Sequence, residues 1–168
     1  EITLPTGPHA GRKLRVQRQP FTGLLFDAMD AAEFPRVAAT GPSQSGKTIN
    51  VQVIPVVYHL FEIAEDVILG APSMDMAEAK WRTDILPVIQ ATRYRDLLPT
   101  RGAGSGGGKA KRIEFKNGKR LTFMSGGGDD KSRAGATTRV VAITETDGMD
   151  TASSTSRVAA GSTRQACA

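Results

Sequence analysis

The 168 residues predict an α/β fold, a mainly parallel sheet flanked by helices with a β-hairpin inserted. Three features predict it. A short apolar run, Val37-Ala38-Ala39-Thr40, reads as a strand and leads through a glycine-rich turn into a long helical pattern. Two uninterrupted apolar runs, Val67-Ile68-Leu69-Gly70 and Val140-Val141-Ala142-Ile143, have the composition of strands covered on both faces, the parallel type. Finally, Asn117-Gly118 separates the alternating runs Ile113-Glu114-Phe115 and Leu121-Thr122-Phe123, the strongest short hairpin signal in the chain.

Taken in order, residues 1–20 are rich in Pro, Gly and basic side chains and read as an extended basic arm. Residues 21–168 read as one domain. Phe21 to Ala32 carries Leu24, Leu25, Phe26 and Met29 at helical spacing. After the glycine-rich turn, Thr48 to Ile63 is apolar at Val51, Val53, Ile54, Val57, Leu60 and Phe61, a helix that Pro55 should bend. Following the strand at 67–70, Ser73 caps a second helix that runs to about Thr92, with Met76, Trp81, Ile85 and Ile89 near one face and Pro87 interrupting it. Arg101 to Lys109 holds five glycines and reads as a flexible loop, and Gly126-Gly127-Gly128 opens another. The tail from Thr151 is weakly patterned. There is no internal repeat.

Composition narrows the classes. An apolar share of 39% fills a single core, and one cysteine, Cys167, excludes a disulfide framework. His9 and His59 are unaccompanied, so no metal cluster is spelled out. No run is long enough for a membrane span, and the first residues lack the plan of a signal peptide, which points to a cytosolic setting with no membrane partner. The chain begins without Met, and it reads as a fragment of a longer protein. The net charge of +5 is uneven: residues 101–139 hold ten Lys/Arg against Glu114, Asp129 and Asp130, a local +7. Such a stripe suits a polyanion, through release of condensed counterions; a solvated loop surface is the alternative.

The turn Gly41-Pro42-Ser43-Gln44-Ser45-Gly46-Lys47-Thr48 fits GxxxxGK[ST] at every fixed position, the P-loop or Walker A pattern. A triphosphate must be wrapped by backbone N–H groups, and a glycine-rich turn opening a helix presents them closely enough. Lys47 then reaches the β- and γ-phosphates of ATP, and the Thr48 hydroxyl ligates Mg²⁺. Hydrolysis needs acids at the end of a neighbouring strand. Val140 to Ile143 runs into Thr144-Glu145-Thr146-Asp147, a Walker B strand with a DExD-type ending in which Thr144 replaces the first acid. Glu145 stands where a general base would activate water. Thr144 can bond a metal-bound water without supplying charge, so the metal rests on Thr48, the phosphates and Asp147.

Together these residues resemble the ATPase domain of the large terminase subunit of tailed bacteriophages, in the lambda-like GpA group. The resemblance spans nearly the whole chain: Gln19-Pro20-Phe21, the P-loop as GPSQSGKT, a hairpin, a loop carrying Arg133-Ala134, and a strand ending TETDGMD. It implies a RecA-like P-loop NTPase fold and a viral genome-packaging motor, a homo-oligomeric ring in the host cytoplasm that hydrolyses ATP to move double-stranded DNA into a procapsid. It further implies a portal and a small terminase subunit as partners, and a nuclease domain outside this chain. By the same resemblance Gln19, assisted by Arg18, contacts adenine, and Arg133 reaches a neighbouring subunit's γ-phosphate. Two other readings stay open: a P-loop helicase or recombination-type motor, since the glutamine before the P-loop is shared with helicases, and a nucleotide-dependent DNA-binding module with little turnover.

Overall fold

The computed structural model describes residues 2–5, 7, 9–31, 33–42, 44–102, 104, 111–126 and 138–145. Its centre is a four-stranded sheet in the order β2-β3-β1-β4, where β1 is Val67–Ala71, β2 Arg112–Glu114, β3 Arg120–Ser125 and β4 Val140–Ile143. β1 runs parallel to both neighbours, with Leu69 opposite Phe123 on one side and Ala142 on the other. Every residue of β1 is buried, as its unbroken apolar composition requires.

The antiparallel pairing expected around Asn117-Gly118 is present, with Ile113 opposite Leu121. It is more than an insertion, because β3 pairs with β1 along its length and so lies inside the sheet. The Asn117 side chain shapes the turn at both ends: Oδ1 accepts from Lys119 N at 3.1 Å and Nδ2 donates to Leu60 O at 2.9 Å. Gly118 takes φ +79°, a conformation that costs a residue with a Cβ far more.

Two long helical runs pack on one face of the sheet. The first joins π-helical Thr48–Val53, α-helical Ile54–Tyr58 and π-helical His59–Ile63, and stops where Ala64 turns left-handed. The second joins α-helical Met74–Lys80, π-helical Trp81–Ile85 and α-helical Leu86–Gln90. Ser73 caps it as expected, its Oγ accepting from Met76 N at 3.2 Å. Pro87, however, does not interrupt it. A proline in a helix lacks an N–H and crowds the carbonyl one turn back; a wide turn just before it relieves that crowding, and both proline-bearing runs contain one.

Val53, Val56, Val57 and Leu60 of the first run and Ala77, Trp81, Ile85, Val88 and Ile89 of the second bury against Val67, Leu69, Leu121 and Phe123. Trp81 meets Phe115 and Phe123 edge-on, at centroid distances of 6.1 and 6.5 Å. Truncating a fully buried member such as Leu69 or Ile85 to alanine costs about 2–5 kcal/mol.

Two further expectations change, the strand at 37–40 and the extended arm, while the helix expected from Phe21 is formed. Residues 36–42 have no regular structure, and Val37 is exposed, so the predicted strand before the P-loop is not formed. Ala38, Ala39 and Thr40 bring too little apolar area to hold that run against the sheet. The arm is not extended: Leu4 N donates to Arg12 O and Leu14 N to Ile2 O, so it doubles back before a 3₁₀ turn at Val16–Arg18. The N-terminal helix, Phe21–Asp30, leaves Phe21 and Leu24 largely exposed while Thr22 is buried, donating to Gln19 O. Most of the glycine loop at 101–109, the loop at 127–137 and the tail from 146 fall outside the described residues.

Candidate nucleotide-binding site

The turn 41–48 folds on itself through its own lysine. Lys47 Nζ donates to Gly41 O and to Pro42 O, the latter at 2.7 Å, so the side chain arches back across the loop that precedes it. Gln44 at φ +60° and Gly46 at φ +81° put left-handed residues into the turn. Such alternation lets successive N–H groups converge on one point, a concavity for anions. At Gly46 a Cβ would stand 3.2 Å from Asn50 Nδ2 and 3.4 Å from Gln19 Oε1, so a side chain there would press on both amides as well as strain the backbone at φ +81°. The helical run begins at Thr48 and adds the positive end of its dipole to the same spot.

The loop borders a cleft of about 860 Å³, large enough for a nucleotide. Gln44, Ser45, Gly46, Lys47 and Thr48 line it together with Arg18, Gln19 and residues of the folded arm, and Gln19 lies directly against Gly46. Gln19 Oε1 accepts from Asn50 Nδ2 at 3.2 Å, which ties the segment before the N-terminal helix to the helix leaving the P-loop. The predicted phosphate loop and the predicted adenine-side glutamine, 22 residues apart at their nearest, thus meet around one cavity. Gly41 and Pro42 join it by accepting from Lys47; Ser43 lies outside the described residues.

Glu145 does not line this cleft. β4 ends at Ile143, Thr144 N donates to Gly70 O at 3.0 Å, and Glu145 then turns left-handed at φ +55°. It therefore leaves the carboxyl end of a parallel strand, the side where open α/β sheets bind ligands. Its carboxylate meets Lys80 Nζ at 3.4 Å, and the same ammonium lies 3.5 Å from Asp84 Oδ2. Asp84, unlike Glu145, is among the described residues that line the cleft. Asp147 and Arg133 fall outside the described residues.

Sequence reasoning missed Lys80, Asp84 and Asn50. The i, i+4 spacing of Lys80 and Asp84 on a capped helix marks them as one face, but only the tertiary fold brings that face to Glu145. The basic stripe is also narrower than its count. Arg120 pairs with Asp66 at 2.6 Å, which pushes the guanidinium pKa further up by hydrogen bonding and charge. Arg139 pairs with Glu65 at 3.0 Å, and Lys116 Nζ donates to Asp96 O. These acids lie outside residues 101–139 in sequence.

The family model for the phage terminase large subunit gpA, ATPase domain, matches residues 9–164. The chain belongs to this family. No curated protein and no solved structure matches it. Membership in the terminase ATPase family carries an ATPase, packaging-motor role and the use of nucleotide, and it agrees with a mixed α/β sheet flanked by helices. Among the described residues no helix is long and apolar enough to cross a membrane, and no cluster of three or more His, Cys, Asp or Glu is arranged to hold a metal.

A triphosphate fits the observed donor set: a narrow turn with a left-handed glycine at Gly46, a lysine folded over it and a hydroxyl at the helix start. Mg²⁺ fits less completely, because the described residues offer Thr48 and Asp84 on the cleft and the uncharged Thr144 after β4.

Proposed function

We propose that this terminase ATPase domain binds ATP with Mg²⁺ in the cleft bordered by residues 44–48 and hydrolyses it to translocate double-stranded DNA. The observation that carries the reading is the lysine-closed loop, Lys47 arched onto Gly41 and Pro42 with Gly46 left-handed, lining one cavity together with Gln19. Loop N–H groups and Lys47 hold the β- and γ-phosphates, and the Gln19 amide offers a donor and an acceptor to the adenine edge, with Arg18 beside it. Thr48 holds the metal, whose chemistry is to neutralise charge between the phosphates; Thr144 and Asp147 belong to its outer environment. Glu145 takes the proton of the attacking water.

The RecA-like arrangement, the ring, the portal and small-subunit partners and the host-cytoplasm setting belong to the same proposal, supported by family membership. Arg133 serves a neighbour's γ-phosphate, and the basic region 101–139 contacts DNA phosphates in a salt-sensitive, sequence-blind manner. A nucleotide-dependent DNA-binding module with little turnover is favoured by one observation, the threonine at position 144. Nucleotide binding and phosphate release, measured with and without DNA on this chain and on Lys47→Ala, decide between them. The motor reading expects binding and DNA-stimulated release, both lost on the order of a hundredfold or more in the variant. Equal binding and turnover in Lys47→Ala would end it. Binding without release would leave the module.

A further inference from the structure

Lys80 is built into the fold in a way its sequence position does not announce. It closes the α-helical segment Met74–Lys80 and precedes Trp81, which is 3% exposed and anchored between Phe115 and Phe123. Its own side chain is only 20% exposed. From there the ammonium reaches Asp84 one turn on, at 3.5 Å, and Glu145 beyond the end of β4, at 3.4 Å. One partner lines the phosphate cleft and the other is the residue proposed as base.

Glu145 needs such a partner. Its backbone stands at φ +55°, a conformation that a residue with a side chain holds only when its surroundings impose it. The carboxylate is 47% exposed, so packing alone does not fix its direction. An ordinary surface ion pair is worth little, because two long side chains must be ordered in high dielectric. Here one of the two is already ordered by the core beneath it.

We infer that Lys80 is a positioning residue: it ties the Glu145 carboxylate to the helix whose Asp84 lines the phosphate cleft. This rests on the ATPase reading of the site and adds to it the element that sets the base. The lysine acts through the carboxylate it holds, not as an acid or base itself. It sets where the carboxylate sits, and the helix 74–90 carries that placement to the cleft wall.

The test compares Lys80→Met, which keeps the buried stem and removes the charge, with Lys80→Arg, Glu145→Gln and the Lys80→Met/Glu145→Gln double variant. Single-turnover ATP hydrolysis is measured with the chain in excess, and nucleotide affinity separately with a fluorescent ATP analogue. Lys80→Met is expected to slow hydrolysis at least tenfold with affinity within twofold of the parent. Lys80→Arg should recover most of the rate, and the double variant should be no slower than Glu145→Gln alone. Crystals of Lys80→Met should show the Glu145 side chain displaced. An unchanged rate, a loss that multiplies with Glu145→Gln, or an unmoved Glu145 overturns the proposal. Failure of the ATPase reading is distinct: parent and Lys47→Ala would then be equally inactive, and the Glu145 position in the Lys80→Met crystals would still decide the role of Lys80.

Discussion

The two long helical runs serve the site in opposite ways. Run 48–63 contributes its start, where Lys47 and Thr48 emerge from a turn whose main chain does the holding. Run 74–90 contributes its middle, where Lys80 and Asp84 project toward groups that arrive from β4 and the P-loop. A main-chain cradle needs only local residues; a side-chain bridge needs the whole sheet to be assembled first. The first depends on φ and on the absence of Cβ atoms, the second on register and on a buried tryptophan.

The largest expected effect falls on the bridged end. Glu145→Gln keeps the shape of the carboxylate and loses its basicity, so turnover should drop by about 10²–10⁴-fold with ATP still bound. Steady-state phosphate release together with equilibrium nucleotide binding checks it; normal turnover would transfer the base role to another residue, Asp147 first.

Next comes the cradle. Gly46→Ala forces a side chain into φ +81° and against Asn50 and Gln19, which should cost about 1–2 kcal/mol in the bound loop conformation and weaken ATP roughly tenfold. Calorimetric titration measures this, and unchanged affinity would mean that the loop is not the phosphate cradle.

Gln19→Ala should be milder and should change selectivity. Losing the amide beside the loop is expected to narrow the preference for ATP over GTP several-fold while phosphate-dominated affinity changes little. Competition between the two nucleotides reads it directly; an unaltered ratio would return Gln19 to a purely structural contact with Asn50.

The smallest effect concerns the attachment of the N-terminal helix. Tyr58 Oη donates to Asp30 Oδ1 at 2.9 Å, and that bond, followed by desolvation and nearby acids, raises the phenol above its ordinary pKa of 10.0. The folded value is the higher one, so the contribution is complete below the unfolded value and vanishes as pH rises through the folded value. Tyrosinate absorbance compared between the parent and Tyr58→Phe should show that the phenol lost in the variant is one that titrates above the ordinary range.

What could be read in advance follows the same division. The runs that become β1 and β4, the Asn117-Gly118 turn and the Ser73 cap depend on neighbours a few residues away, and the structure has each of them. The run at 37–40 misled because alternation and apolarity say nothing about whether a partner strand accepts it. Pro87 misled because a break was expected where a wide turn absorbs the ring. Lys80, Asp84 and Asn50 carry no motif. Their importance arises from contacts spanning up to 65 positions, such as Lys80 to Glu145.

The ends of the sheet differ in their exposure to other molecules. At one end β2 is three residues long and flanks Ile113 with Arg112 and Glu114, charges that discourage a further strand from joining. At the other, β4 presents Val140-Val141-Ala142-Ile143 with no neighbour among the described residues on its outer side. Its outward amides and carbonyls form a template for added strands. A strand that joins the sheet, from elsewhere in this protein or from another molecule, therefore has β4 as its place of entry.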